Sequence, residues 1–181
     1  ILFFNKSILD FGCGKGEFLS KLKKENITKQ LYAFEPNKKY HKFLSNNFIL
    51  KENLVDIQDE SLDYITLFHV MEHLKDPVEI INKLYNKLDT NGKIIIEVPS
   101  SSDILLNLYD SEDFSKYTYW SCHLYLFNKR TLEDLFKKTS YKIIYIKQYQ
   151  RYTLANHLYW LSKGKPGGHI IWRFLDDENL N

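Results

Sequence analysis

The chain has 181 residues, 44% of them hydrophobic and 27% charged, an ordinary globular composition with length enough for one full core. Twenty-five basic against 23 acidic residues leave a formal net charge of +2, which implies no strong nucleic-acid-binding field. Two cysteines, Cys13 and Cys122, make neither a disulfide framework nor a zinc site and read as reduced thiols of a cytoplasmic protein, and no apolar run reaches the ~20 residues that span a bilayer.

In chain order, strands are expected at 7–11, 31–35, 48–51, 63–68 and 93–98, and helices at 15–24, 37–46, 77–88 and 130–138. Alternation of this kind indicates a parallel sheet covered on both faces. The chain begins almost on the first strand, so further covering helices are expected upstream of Ile1. That strand, Ile8 to Phe11, runs into a turn carrying Gly12, Cys13, Gly14 and Gly16, a strand–turn–helix cradle for a nucleotide-type cofactor. A dinucleotide fingerprint would place its third glycine where Glu17 stands. Asp10 and Glu17 flank the turn with negative charge, which repels a pyrophosphate and suits a ligand carrying cations. Glu35, followed by Pro36, ends the second strand roughly 20 residues on, the spacing of an acid that accepts hydrogen bonds from ribose hydroxyls.

After the fourth strand come His69-Val70-Met71-Glu72-His73-Leu74 and then Asp76-Pro77, a helix start with Asp as cap and Pro in the first turn. Asn91-Gly92 reads as a turn before the fifth strand, and Pro99 ends that strand. Residues 100–128 form an aromatic insertion at the carboxyl ends of the strands, where open α/β sheets bind ligands. A last strand is expected at 142–147, and 149–181 extend beyond the core pattern.

At residues 8–16 the chain resembles the class I S-adenosylmethionine-dependent methyltransferases, whose first motif reads like Ile8–Gly16. The block Leu62–Leu74 with Asp76-Pro77 is similar to the motif after strand four in the small-molecule, ubiquinone-biosynthesis-like branch. The resemblance covers roughly residues 7–148. It implies an α/β Rossmann-like sandwich with a mainly parallel seven-stranded sheet, in which 142–147 belong to a closing antiparallel hairpin. The expected domain is 1–148 with the insertion 100–128, and 149–181 are expected to pack on the same domain.

The resemblance also assigns residues. Asp10, Gly12, Cys13, Gly14, Glu35 and Pro36 would hold S-adenosylmethionine and its product S-adenosylhomocysteine. Asn53 with Leu54 would meet the adenine, with Glu52 and Asp56 as alternatives, and Phe68 and His69 would pass along the methionine part. His73, at the mouth of the cleft, and His123, after the insertion, are the candidate bases, since an imidazole takes a proton near neutral pH. Either also reads as a structural histidine. Tyr119, Arg151, Asn156 and His157 are the candidate substrate residues, with Arg as a bidentate anion ligand and Tyr as a stacking face. The bland reading of 153–162 is an amphipathic helix packing Leu154, Leu158 and Leu161. His69 and His73 are spaced i, i+4, but their stretch belongs to the cofactor cleft, and no metal is expected.

The expected function is methyl transfer to a small-molecule acceptor, first an oxygen of a sugar or phosphorylated intermediate of surface glycan synthesis, by analogy with methyltransferases of the surface-polysaccharide type. The alternatives are a quinone or lipid-precursor acceptor, a non-catalytic cofactor-binding regulatory module, and a dinucleotide-dependent oxidoreductase, against which Glu17 counts. No nucleic-acid partner and no integral membrane contact are expected of a monomer or homodimer.

Overall fold

A computed structural model describes residues 2–120 and 122–176. The chain divides into two compact units, Ile1–Val98 with Asp134–Lys142, and Pro99–Glu133 with Ile143–Asn181.

The first unit carries the sheet. Its elements are β1 (Ser7–Phe11), α1 (Glu17–Glu25), β2 (Gln30–Phe34), α2 (His41–Asn47), β3 (Ile49–Lys51), β4 (Leu62–Phe68), α3 (Pro77–Tyr85) and β5 (Leu88–Glu97). The strands lie in the order β3-β2-β1-β4-β5, all parallel. β1 is central and all five of its residues are buried, as a strand covered on both faces must be. Ile8, Leu9, Ile65 and Leu67 are fully buried, and each such side chain contributes roughly 1.5–3 kcal/mol by leaving water. α1 turns Leu19 and Leu22 inward and ends at Asn26, whose left-handed backbone donates to the Lys23 carbonyl. α3 starts as its sequence demands: the Asp76 carboxylate accepts from Glu79 N at 2.9 Å and Pro77 occupies the first turn.

Two expectations change here. Asn91-Gly92 is not a turn before a strand but a bulge inside a longer one. Two steps along β4, Leu62 to Tyr64, face five along β5, Leu88 to Lys93. Gly92 suits the bulge, since a Cβ there would lie 2.9 Å from the Leu62 and Asp89 carbonyl oxygens. The sheet has five strands among the described residues, not seven. Residues 142–147 form no ladder, and Ile144 and Tyr145 are 70% and 79% exposed. β-branched and aromatic side chains favour a strand only where a neighbour pairs with it.

The second unit is helical, with α4 (Ile104–Asn107), α5 (Glu112–Thr118), α7 (Leu154–Lys163) and α8 (Gly168–Ile171); α6 (Lys129–Phe136) runs across the division between the units. Leu105, Phe114 and Trp160 form its core, with Phe114 edge-on to Trp160 at 5.1 Å. Ser111 caps α5 and Thr153 caps α7.

Candidate cofactor site

The glycine turn stands at the carboxyl end of β1. Gly12 N and Cys13 N both donate to the Phe34 carbonyl, at 2.7 and 3.1 Å, which ties the turn to the end of β2. Gly12 has φ +78°, and a Cβ on it would lie 2.5 Å from Val70 Cγ2. The turn after β4 therefore fills the space that a side chain at residue 12 would need.

Glu35, 9% exposed, holds two turns together. Its Oε2 accepts from Gly14 N and its Oε1 from Asn37 N, both at 2.8 Å. His41 Nε2 donates to the Glu35 carbonyl at 2.6 Å. Each carboxylate oxygen carries two lone pairs, so Glu35 keeps acceptor capacity for ribose hydroxyls while fixing the backbone around it.

Asp10 is buried, and its Oδ1 accepts from Thr66 Oγ1 at 2.7 Å across the β1–β4 register pair. Burial pushes the carboxyl up to about 6, with the charge of Glu35 adding to the rise and the Thr66 bond opposing it. Burial, then Asp10 and Glu35, push the Cys13 thiol up to about 12, so Cys13 is a neutral wall of the turn rather than a nucleophile. Two buried carboxylates beside an open backbone turn fit a cationic ligand with a ribose, which is the chemistry of S-adenosylmethionine.

The exit of β4 adds a second left-handed residue. His69 has φ +56°; its N–H donates to the Glu97 carbonyl at 2.9 Å and its Nε2 to Glu97 Oε1 at 3.1 Å. Its Nδ1 faces Oε1 of the fully buried Glu72 at 3.5 Å. Phe68 packs edge-on against Phe18 of α1 at 5.0 Å. Asn53 is exposed and Leu54 half-buried at a short 3₁₀ turn after β3. His73 is exposed, with its N–H on the Val70 carbonyl at 2.9 Å. A polar cleft of about 770 Å³ lies elsewhere in this unit, against Ser7, Gln30, Tyr32 and Asp63, and of the residues considered for the cofactor only Asp56, an alternative for the adenine, lines it.

The remaining candidates belong to the second unit. His123 Nδ1 donates to the Thr118 carbonyl at 2.7 Å, which in the neutral ring puts the basic lone pair on Nε2. Tyr119 and Arg151 are exposed. The Gln150 amide donates to His157 Nε2 at 2.7 Å. Asn156 is buried, and its Oδ1 accepts from Gly167 N and Gly168 N at 2.9 and 3.0 Å, so it ties the Gly/Pro turn to α7. Sequence reasoning did not single out Thr66, Val70 or His41. The signal for Thr66 was a hydroxyl in an otherwise apolar strand.

Residues 2–146 match the methyltransferase domain family. The chain is 26% identical over 103 residues to a tRNA U34 carboxymethyltransferase of Sulfurimonas denitrificans, covering 51% of this chain and 34% of that protein. It is 28% identical over 118 residues to a tRNA U34 carboxymethyltransferase of Helicobacter pylori, covering 56% and 45%. It thus spans less than half the length of these curated relatives. Among solved structures it is similar to an S-adenosylmethionine-dependent methyltransferase from Archaeoglobus fulgidus, with 25% identity, 77% of this chain and 63% of that one covered, and a TM-score of 0.61. The relatives' names overturn two expectations, the small-molecule acceptor of glycan synthesis and the exclusion of nucleic-acid partners. The family match and the fold imply S-adenosylmethionine as methyl donor without distinguishing the quinone-like branch. No described helix is long and apolar enough to cross a membrane. By its glycine turn, its parallel sheet and the match over residues 2–146, the chain belongs to the methyltransferase domain family of S-adenosylmethionine-dependent enzymes.

Proposed function

We propose that the chain transfers a methyl or methyl-derived group from an S-adenosylmethionine-type sulfonium to an RNA acceptor, with tRNA the first substrate to try. The observation that carries this reading is the likeness of about half of the chain to enzymes named for a tRNA uridine, joined to a cradle whose buried Asp10 and Glu35 suit a cationic nucleoside. The bound cofactor supplies an electrophilic carbon on sulfur. The residues of this chain supply the rest. The turn at 12–14 offers backbone without side chains, Glu35 offers acceptors to the ribose, and Asp10 offers negative charge. Asn53, Leu54, Phe68 and His69 are assigned to the adenine and methionine ends. Holding donor and nucleophile in line is the main rate contribution open to such a site. His73 and His123 are the groups proposed to take a proton from the acceptor.

Two assays test this. Calorimetric titration with S-adenosylhomocysteine should show micromolar binding, with NADH as a silent control. Incubation with S-adenosylmethionine and unmodified tRNA, followed by mass analysis of the digested nucleosides, should show an adducted uridine and tell methyl from carboxymethyl. Cofactor binding without any modified nucleoside overturns the acceptor.

A further inference from the structure

The formal net charge of +2 conceals an uneven distribution. Residues 15–51 hold nine lysines against three acids, one of them the buried Glu35. The segment therefore carries +6, and the other 144 residues together carry −4. Six of these lysines, Lys21, Lys23, Lys24, Lys38, Lys39 and Lys42, stand with only Glu17 and Glu25 on α1, α2 and the turn leading into α2, while Lys29 and Lys51 line the polar cleft beside Asp56, Glu60 and Asp63. α1 and α2 pack side by side: Leu19 clusters with Leu44 and Phe48, and Lys23 Nζ donates to the Asn47 carbonyl at 3.0 Å while lying 5.6 Å from the Phe48 ring centroid. With Leu19, Leu22 and Leu44 turned inward, Lys21, Lys24, Lys38, Lys39 and Lys42 are exposed. None of the nine lysines forms an ion pair with a carboxylate among the described residues. Elsewhere Lys6, Lys83, Lys87, Lys116, Lys129 and Lys137 each do.

We infer that the outer face of the α1–α2 layer, centred on Lys38, Lys39 and Lys42, docks the phosphate backbone of the RNA acceptor. Uncompensated lysines on one face are the electrostatic footprint of a nucleic-acid site. Their place fits the chemistry, because Lys38 and Lys39 follow directly on Asn37, whose N–H holds the Glu35 carboxylate at the cradle. Aromatic faces accompany the charge. Phe43 is 49% exposed, and Lys39 Nζ lies 4.7 Å from the Tyr40 ring centroid. Lysines interleaved with rings bind single-stranded RNA through phosphates and stacked bases. This inference rests on the RNA acceptor proposed above.

The test is fluorescence anisotropy with labelled unmodified tRNA and a labelled single-stranded oligoribonucleotide, run across a salt series. It compares the wild type, the triple variant Lys38→Glu/Lys39→Glu/Lys42→Glu, and a charge-matched control Lys83→Glu/Lys116→Glu/Lys137→Glu. S-adenosylhomocysteine titration of all three reports whether the cradle is intact. The expected result is a loss of about tenfold or more in RNA affinity for the first variant only. Its slope of log affinity against log salt should be shallower by about 2, at roughly 0.7 per lost phosphate contact on a single strand. S-adenosylhomocysteine affinity should stay unchanged in both variants. Equal losses in the two variants, or none in either, overturn the docking face while leaving the RNA acceptor standing. A wild type that binds S-adenosylhomocysteine but no RNA overturns both. If that protein then sediments with phosphatidylcholine–phosphatidylserine vesicles, the face serves an anionic membrane instead.

Discussion

The exits of β1 and β4 solve one problem with different residues. Each ends a buried parallel strand and reverses the chain with a left-handed residue at the carboxyl edge, Gly12 at φ +78° and His69 at φ +56°. At Gly12 the residue is chosen for what it lacks, because Val70 of the other turn stands where its Cβ would be. At His69 the side chain is kept in spite of the backbone cost, and its ring spans from Glu97 toward Glu72. The two turns interlock, so the cradle is a joint product of strands distant in sequence. Left-handed geometry alone does not say whether a position wants space or reach.

The largest effect should come from breaking the interlock. Gly12→Ala places a Cβ in a left-handed backbone, costing about 1–2 kcal/mol, and drives it into Val70, adding about 1–3 kcal/mol of overpacking. A loss of roughly 3 kcal/mol or more is expected in urea denaturation. Adding Val70→Ala should restore the steric part and leave the backbone part. If the double variant recovers nothing, Val70 is not what excludes a side chain at residue 12.

Next in size is Asp10, the buried charge at the β1 exit. Its carboxyl is raised from 3.8 to about 6, chiefly by burial. Between those values the folded protein binds more protons than the unfolded chain, so stability from this group falls as pH rises through about 4 to 6 and stays lowered above. At about 1.4 kcal/mol per unit, the cost at pH 7 is roughly 3 kcal/mol. Asp10→Asn keeps an acceptor for Thr66 without the charge. Its melting temperature should match the wild type near pH 4 and exceed it above pH 6, while S-adenosylhomocysteine affinity falls by tenfold or more. Unchanged affinity would remove Asp10 from the cofactor site.

What was legible in the sequence follows the same division. Local chemistry was readable: the glycine turn, the Glu35 position, the Asp76-Pro77 cap and the β1, β2 and β4 strands follow from residue types within a few positions of one another. Features that depend on a partner were not. Thr66 became part of the site only through its register with Asp10, and Val70 only through the turn it fills. Asn91-Gly92 signals a turn and a bulge equally, and pairing with β4 decided between them. Residues 142–147 have the side chains of a strand but no neighbour in the ladder. The expected exclusion of nucleic acid, which the relatives' names overturn, rested on a summed charge that averages +6 over residues 15–51 with −4 over the rest and describes neither segment.

The smallest effect tests the β4 exit. His69→Gly removes the left-handed penalty, a gain of about 1 kcal/mol. It adds about 0.5–1 kcal/mol of backbone entropy to the unfolded chain. It also removes the ring from Glu97 Oε1 at 3.1 Å and from Glu72 Oε1 at 3.5 Å. A hydrogen bond to a carboxylate reaches about 1.5–3 kcal/mol when buried, but the His69 side chain is 36% exposed, which scales the Glu97 bond toward about 1 kcal/mol. The gain and the entropy nearly cancel, so the contacts set the sign, and the variant should be less stable by about 1 kcal/mol in urea. His69→Asn, which tolerates the same backbone without the ring's reach, should lose a similar amount. If His69→Gly proves more stable than the wild type, backbone strain outweighs the bridge, and the β4 exit keeps its histidine at a cost in stability.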